Sequence, residues 1–392
     1  MKLARVSIHP ATIKELHKNH PHITSDRYSL CFPKNAPLVY WYDEKKDKKY
    51  FFLHDPLHQK IKARLWKVTV EKRAEDSFDF IKELNDRFER VLEEKGQLFK
   101  SSERENFFWL FGEADGFPGL RLISFNDTFV FQAESFFWKQ FKDVLIKKLR
   151  SMRNDVQCVY WQERTSSGES GKLEKILGDD LKQATINEFG VNYTVFFDDA
   201  KKDFGLFTDM AFVRKEMKQR GLFEGRNLLN LFAHTGAFSF FAMKNGATQT
   251  HSVDLSPTWM DVFYQNREHN KLENCTYTVG KVEDYLEESK DTFQVILCDP
   301  PPVLTIKEKK MSVMNFYQRY LNKMIHLLDK EKGTLVLFCN NHSIKMSDFE
   351  KEIKKINNKL KIKGYLGLGE DCTVISSFNE GNYIKGVILE IC

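Results

Sequence analysis

The sequence predicts an α/β protein whose C-terminal half is a doubly wound, seven-stranded, mostly parallel sheet, preceded by a small β-rich domain and a central α+β domain. Two observations carry this. From about residue 200 onward, apolar runs of buried-strand type alternate with amphipathic helical segments, as when crossover helices cover both faces of a parallel sheet. Before residue 200 the apolar runs are short and punctuated by Gly, Pro, Asn and Asp, the pattern of strands and turns. A chain of 392 residues exceeds one ordinary core. The expected division is 1–72, 73–198 and 199–392.

In the first region "RVSIHP", "LVYWYD", "KKYFFLH" and "IKARLWKV" read as strands, with one helix near Ala11–Lys18. The last strand alternates basic and apolar residues, so one face would be core and the other cationic. Lys60, Lys62 and Arg64 are therefore candidate phosphate contacts, with a merely solvated strand face as the equal alternative. A helix follows to Lys95, with apolar residues at Phe80, Ile81, Leu84, Phe88, Val91 and Leu92. Asp76 or Ser77 would cap it and Gly96 would end it. The stretch 107–135 reads as three strands joined by turns at Gly112–Gly119 and Asn126-Asp127. A helix over Phe136–Arg150 and a polar loop, Thr165–Gly171, come next. In the last region the strands are "NLLNLF", "THSVDL", "CTYTV", "FQVILCD" and "GTLVLF", with helices at 237–245, 258–270, 315–328 and 348–358.

Composition narrows the function classes. No apolar run reaches the roughly 18 residues that span a bilayer, and Met1–Arg5 lacks a signal-peptide core, so a cytoplasmic protein is expected. Seven scattered cysteines without CxxC pairs argue against a disulfide framework or structural zinc and read as buried free thiols. His9, His17, His20 and His22 cluster in sequence without a complete metal-ligand set, and no metal is expected. A net charge of +5 permits nucleic-acid binding without demanding it.

The ligand-binding end of the sheet is legible in motifs. The first strand runs into Asn230-Leu231-Phe232-Ala233-His234-Thr235-Gly236, where a glycine opens a helix and lets backbone approach a ligand. Asp254, with Ser256 close behind, lies about twenty residues after that turn, the offset of a carboxylate that grips ribose hydroxyls. The dinucleotide pattern GxGxxG is missing, so a ligand with ribose and no pyrophosphate fits better. S-adenosylmethionine is such a ligand, and a nicotinamide-dependent oxidoreductase is disfavoured. Asp299, after the fourth strand, can accept hydrogen bonds from an amine. Pro300, Pro301 and Pro302 form a rigid wall beside a flat base.

At this point a resemblance becomes specific. "HDPLHQKIKARLW", "GEADGFPGLRL", "FGLFTDM", "NLLNLFAHTGAFS", "VDLS", "DPP" and "NEGNYIKGVIL" occur in the order found in class I RNA methyltransferases with an N-terminal PUA domain. Many of these make 5-methylcytosine in large-subunit ribosomal RNA. The resemblance implies S-adenosylmethionine as cofactor and ribosomal RNA as partner. It places Asp209, Asn230, Phe232, Thr235, Gly236, Asp254, Ser256 and Asp299 around the cofactor, and Asp299 with Pro300 at the methyl-transfer centre.

The departures are informative. The cysteine that attacks cytosine falls on Asn341, with Cys339 two residues deeper in the strand. Asparagine cannot add to a pyrimidine ring. Guanine N7 already carries a lone pair and needs only alignment. The stretch Cys339-Asn340-Asn341-His342-Ser343 resembles the Ser-Asn-Asn of a branch that methylates guanine N7, so Asn340 and Asn341 join the candidate catalytic set. The triplet Asp-Gln-Arg is Asp209-Met210-Ala211 here. The acid near the adenine falls on Lys281, with Glu283 or Asp284 as its replacement. A non-catalytic RNA-binding protein is the remaining alternative.

Overall fold

The computed structural model describes residues 2–27, 32–33, 35–70, 78–164, 170–198, 203–306 and 309–391. Cys31, Cys392, the expected caps Asp76 and Ser77, and Thr165–Glu169 of the polar loop lie outside the described residues. The five cysteines reported among them, including Cys158, Cys275 and Cys372, are free and buried. No helix among the described residues is long and apolar enough to cross a membrane.

The chain divides into two compact units. The first comprises Met1–Lys182, Phe197–Lys202 and Asp371–Phe378, and the second Gln183–Phe196, Asp203–Glu370 and Asn379–Cys392.

The first unit carries two five-stranded sheets. One has the order Leu3–Arg5, Leu38–Asp43, Lys48–His54, Ile61–Thr69, His22–Thr24. The other has the order Ser170–Leu177, Cys158–Arg164, Thr128–Ala133, Leu120–Phe125, Asn106–Phe111. Two expected strands, Leu38–Asp43 and Lys48–His54, match residue for residue. The expected strand over 5–10 instead ends at Arg5, because Pro10 opens the helix Pro10–Leu16. There its missing N–H costs no hydrogen bond. Residues from both sheets share one hydrophobic cluster: Phe51, Leu53 and Trp66 pack in it with Phe88, Trp109, Trp138 and Trp161.

The long helix is Phe80–Phe99, capped by the Asp79 side chain accepting from the Lys82 amide. It does not stop at Gly96. A Cβ there would stand 3.8 Å from Trp109, and three residues later Phe99 stacks on Phe107 with ring centroids 3.9 Å apart. Burying that last turn outweighs the roughly 1 kcal/mol that glycine costs a helix. The expected helix over 136–150 begins as a 3₁₀ segment, Phe136–Phe141, and continues as Lys142–Met152.

The loop Gly112–Gly119 gathers four basic side chains. Glu113 accepts from His22 at 2.7 Å and from Arg64 at 3.3 Å. Asp115 lies 3.3 Å from the Lys95 ammonium. The Gly116 carbonyl accepts from Arg87 at 2.7 Å, and that guanidinium lies 3.6 Å over the Trp66 ring. Gly112, Gly116 and Gly119 all have positive φ. At Gly119 a Cβ would come within 2.8 Å of Arg64, so glycine is needed for space as well as conformation. Arg64 is accordingly not a phosphate contact. Its side chain is 1% exposed, because Glu113, far away in sequence, draws it inward. Lys62 is half-buried and donates to the Pro56 carbonyl at 2.9 Å, whereas Lys60 is exposed.

The second unit is built on seven strands. They are β1 (Asn227–Leu231), β2 (Gln249–Asp254), β3 (Cys275–Val279), β4 (Val295–Cys298), β5 (Thr334–Phe338), β6 (Leu360–Leu366) and β7 (Gly386–Ile391). Their order is β3-β2-β1-β4-β5-β7-β6. All neighbours are parallel except β7, which is antiparallel to both β5 and β6. The covering helices are α1 (Ala237–Lys244), α2 (Pro257–His269), α3 (Val282–Glu288), α4 (Val313–His326) and α5 (Met346–Ile356). This is the class I methyltransferase α/β fold that the sequence predicts. The hairpin of Gln183–Glu188 and Val191–Phe196 is tied to α2 and its cap. The Thr194 and Asn192 amides donate to Asn266 and Asn270, both at 2.8 Å.

Glu113 provides a test of the first unit. Burial opposes its charge, but His22 and Arg64 outweigh it and hold the carboxyl down at about 2. The contribution to stability is therefore complete above the ordinary glutamate range and is lost as pH falls toward 2. Glu113→Gln is expected to cost about 3 kcal/mol at pH 7, because Arg64 stays buried without its counter-charge. Urea unfolding of both proteins from pH 7 to pH 3 should show the gap closing with acidification. A gap independent of pH would place the stabilisation elsewhere.

Candidate active site

A cavity of about 890 Å³ opens at the carboxyl ends of β1, β2, β4 and β5, where open α/β sheets bind ligands. Its shape begins in the turn after β1. Phe232, His234 and Gly236 all have positive φ, at 59°, 51° and 82°. Two of these are not glycine, and such backbone persists only where its surroundings hold it. The Asp254 carboxylate accepts the His234 amide at 2.9 Å and the Ser256 amide at 3.0 Å. Tyr277 donates to the His234 carbonyl at 3.0 Å. The acid identified by spacing thus fixes the turn as well as facing the cavity.

Asn230, Phe232, Asp254, Ser256 and Glu283 line the cavity. Asn230 is buried and donates to Ser239 at 3.1 Å. The Ser256 hydroxyl accepts the Trp259 amide and caps α2. Glu283 lies in the first turn of α3, while Asp284 beside it is exposed, so the helix selects between the two acids. Lys281 also reaches the lining.

Two expected cofactor contacts are absent from the lining. Thr235 is buried and donates to the Gly205 carbonyl at 2.7 Å. A Cβ on Gly236 would come within 2.3 Å of the Phe263 ring, and its amide is used by Ala233 at 2.8 Å. The glycine serves the close packing of α1 on α2 rather than approach to a ligand.

The other end is built on the segment 205–210 and the exits of β4 and β5. Asp209 accepts from the Tyr383 hydroxyl. Arg214, in the helix Ala211–Gln219, makes a bidentate pair with Glu188 at 2.6 and 2.9 Å and donates to the Phe207 carbonyl at 3.2 Å. Burial alone would weaken its charge, but the Glu188 carboxylate outweighs burial and raises its pKa. Asp299 and Pro300 line the cavity, and Asn340 donates to Asp299 at 2.6 Å. Burial pushes the Asp299 carboxyl up to about 7, against the hydrogen bond from Asn340 and with repulsion from Asp209. Asn341, where the count put the nucleophile, turns away. Its carboxamide oxygen accepts from the Ser343 amide at 2.9 Å and hydroxyl at 2.7 Å. Asn340, not Asn341, is the asparagine at Asp299. Sequence reading missed Phe207, Arg214, Trp259, His342 and Tyr383, all of which line the cavity.

The lining fits S-adenosylmethionine. Four carboxylates, those of Asp209, Asp254, Glu283 and Asp299, share the cavity. They suit a cationic ligand with ribose hydroxyls and would repel a pyrophosphate. The family model for S-adenosylmethionine-dependent methyltransferases matches residues 157–362, just over half of the chain. The chain belongs to this family. It uses S-adenosylmethionine as methyl donor. It is 28% identical over 343 residues to YwbD of Bacillus subtilis, provisionally named a ribosomal RNA large subunit methyltransferase, covering 83% of this chain and 84% of that one. It is 24% identical over 404 residues to ribosomal RNA large subunit methyltransferase I of Alteromonas mediterranea, covering 99% of each. The crystal structure of SMU.776, provisionally described as a methyltransferase and solved with SAH, superimposes with a TM-score of 0.86 over 100% of both chains at 22% identity.

Asp254 is the natural test of cofactor binding. Charge-assisted bonds to ribose hydroxyls are worth about 1.5–3 kcal/mol each. Asp254→Ala is expected to weaken S-adenosylmethionine binding at least tenfold by calorimetry. Melting of the first unit should be unaffected. Unaltered affinity would remove Asp254 from the cofactor site.

Proposed function

We propose that this chain methylates a base nitrogen of large-subunit ribosomal RNA by direct transfer, with guanine N7 as the acceptor atom. The observation that carries this reading is the chemistry beside Asp299. No cysteine is among the described residues that line the cavity. Cys298 and Cys339 are both fully buried. Burial pushes the Cys339 thiol up to about 11 and that of Cys298 well above its ordinary range. Methylation at cytosine C5 needs a thiolate to add to C6, and a thiol so raised supplies almost none near neutrality. A guanine N7 lone pair lies in the ring plane and requires alignment and exclusion of water, not activation.

S-adenosylmethionine supplies the methyl group from its sulfonium. In this reading Asp254 holds the ribose and Glu283 the adenine. Asp299 accepts from the exocyclic amino group of the target guanine, and Asn340 fixes that carboxylate's orientation. Pro300 to Pro302 keep the exit of β4 rigid beside the base. Residues 1–72 form the PUA-like RNA-binding region, with Lys60 as its exposed phosphate contact. The names of the relatives, that of YwbD being provisional, are those of large-subunit ribosomal RNA methyltransferases and support this class of substrate.

The test is incubation with undermethylated large-subunit ribosomal RNA and labelled cofactor, followed by identification of the modified nucleoside. Asp299→Ala and Asn340→Ala are expected to lose activity at least about tenfold through misalignment, whereas Cys339→Ala keeps most of it. A covalent adduct with 5-fluorocytosine RNA that Cys339→Ala abolishes would establish cytosine C5 instead. Cofactor binding without any transfer would establish a non-catalytic RNA-binding protein.

The raised pKa of Asp299 adds a pH dependence. The carboxylate form predominates above about 7, so turnover should rise with pH through that value and then level off. The residual activity of Asp299→Asn should lack this rise. A profile with no inflection near neutrality would argue against a role for the ionised carboxylate.

A further inference from the structure

The cavity rim carries an aromatic surface that folding leaves uncovered. Phe207 is 50% exposed, although most large apolar side chains of the unit are buried. Its ring centroid lies 5.0 Å from that of His234, which lies 4.3 Å from that of Trp259. All three line the cavity that contains Asp299 and Asn340. Val303, 55% exposed, and the exposed Pro301 and Pro302 line it as well. The mouth is therefore apolar on its protruding side chains while its floor is rich in carboxylates.

The segment that presents Phe207 is anchored at two backbone carbonyls and one side chain. Gly205 accepts from Thr235 at 2.7 Å, Phe207 accepts from Arg214 at 3.2 Å, and Asp209 accepts from Tyr383. An exposed phenylalanine on a loose loop would be unremarkable. Here buried polar groups, including the bidentate Arg214–Glu188 pair, hold the segment while the ring stays outside. A flat, apolar, rigidly mounted face above a polar floor matches the shape of a nucleobase, with π-faces to stack and polar edges to bond.

We propose that Phe207 is the stacking surface for the target base once it has left the RNA stack, with His234 and Trp259 as the aromatic support behind it. This rests on the reading of the substrate as a base in RNA. Methylating a ring atom inside a folded RNA requires the base to be extruded. Phe207 receives one face of it, so that its polar edge meets Asp299. Phe207 acts as a positioning residue, since it provides contact area and no reacting atom.

The experiment compares wild type, Phe207→Ala and Phe207→Trp, using undermethylated large-subunit ribosomal RNA as substrate and calorimetry for S-adenosylmethionine. Phe207→Ala is expected to raise KM for the RNA about tenfold, the loss of one base–aromatic stack. Its cofactor affinity should stay within about twofold and its melting temperature should be unaltered, because the ring is half-exposed. Phe207→Trp should restore KM to near the wild-type value. An unchanged KM in Phe207→Ala overturns the proposal. So does a parallel loss of cofactor affinity, which would assign the ring to the cofactor. Wild-type protein that transfers no methyl to RNA would refute the functional reading itself, and is distinguished by failing before any variant is compared.

Discussion

The buried pair of Arg214 and Glu188 is the interaction on which the second unit's site depends. Glu188 sits on the hairpin Gln183–Phe196 and Arg214 on the helix Ala211–Gln219, with side chains 0% and 1% exposed. Bringing both charges out of water is costly, and only close bidentate geometry with further hydrogen bonds offsets it. The third acceptor is the Phe207 carbonyl. The same guanidinium that satisfies Glu188 therefore fixes the segment carrying Phe207 and Asp209. Because the pair is satisfied only in one arrangement, it gives that segment a single position, which bulk apolar packing would not.

The turn after β1 shows the complementary device. Two non-glycine residues in the left-handed region, Phe232 and His234, cost conformational energy. The cost is met from other strands: Asp254 at the end of β2 holds the His234 amide, and Tyr277 on β3 holds its carbonyl. The cavity wall is thus strained at Phe232 and His234, and supported by Asp254, which also lines the cavity, and by Tyr277, which does not. Loss of Asp254 would remove a cofactor contact and a backbone support together.

These arrangements explain which parts of the protein were legible in the sequence. The parallel sheet was legible because strands buried on both faces must be continuously apolar. Asp254 was legible because its spacing from the turn follows from one helix and one strand. Arg64 was misread because alternation along Ile61–Thr69 says nothing of Glu113, which pairs with it from the loop Gly112–Gly119. Thr235 and Gly236 were assigned to a ligand although their partners, Gly205 and Phe263, belong to other segments. Asn340 and Asn341 could not be told apart by counting. Beyond the end of β5 the strand period no longer applies, and a local bond to Ser343 turns Asn341 aside. Arg214 carried no signal, since a lone arginine on a helix usually faces solvent.

The meeting of Asp299 with Asn340 has a structural cause that also accounts for the silence of the cysteines. Tyr317, on α4, is fully buried and directs its hydroxyl at the Phe338 carbonyl at 2.6 Å and the Cys298 carbonyl at 3.2 Å. One proton makes one strong bond, so the shorter contact dominates and the longer shares it. Both carbonyls belong to the last residues of adjacent parallel strands. A single phenol therefore sets the level at which β4 and β5 end. From that level, one step along β4 reaches Asp299 and two steps along β5 reach Asn340. Cys298, at that level, and Cys339, between Phe338 and Asn340, are left packed in the apolar cluster beneath. The register that aligns the carboxylate with the carboxamide is the register that buries both thiols, so the site exposes its Asp–Asn pair at the expense of its sulfur nucleophiles.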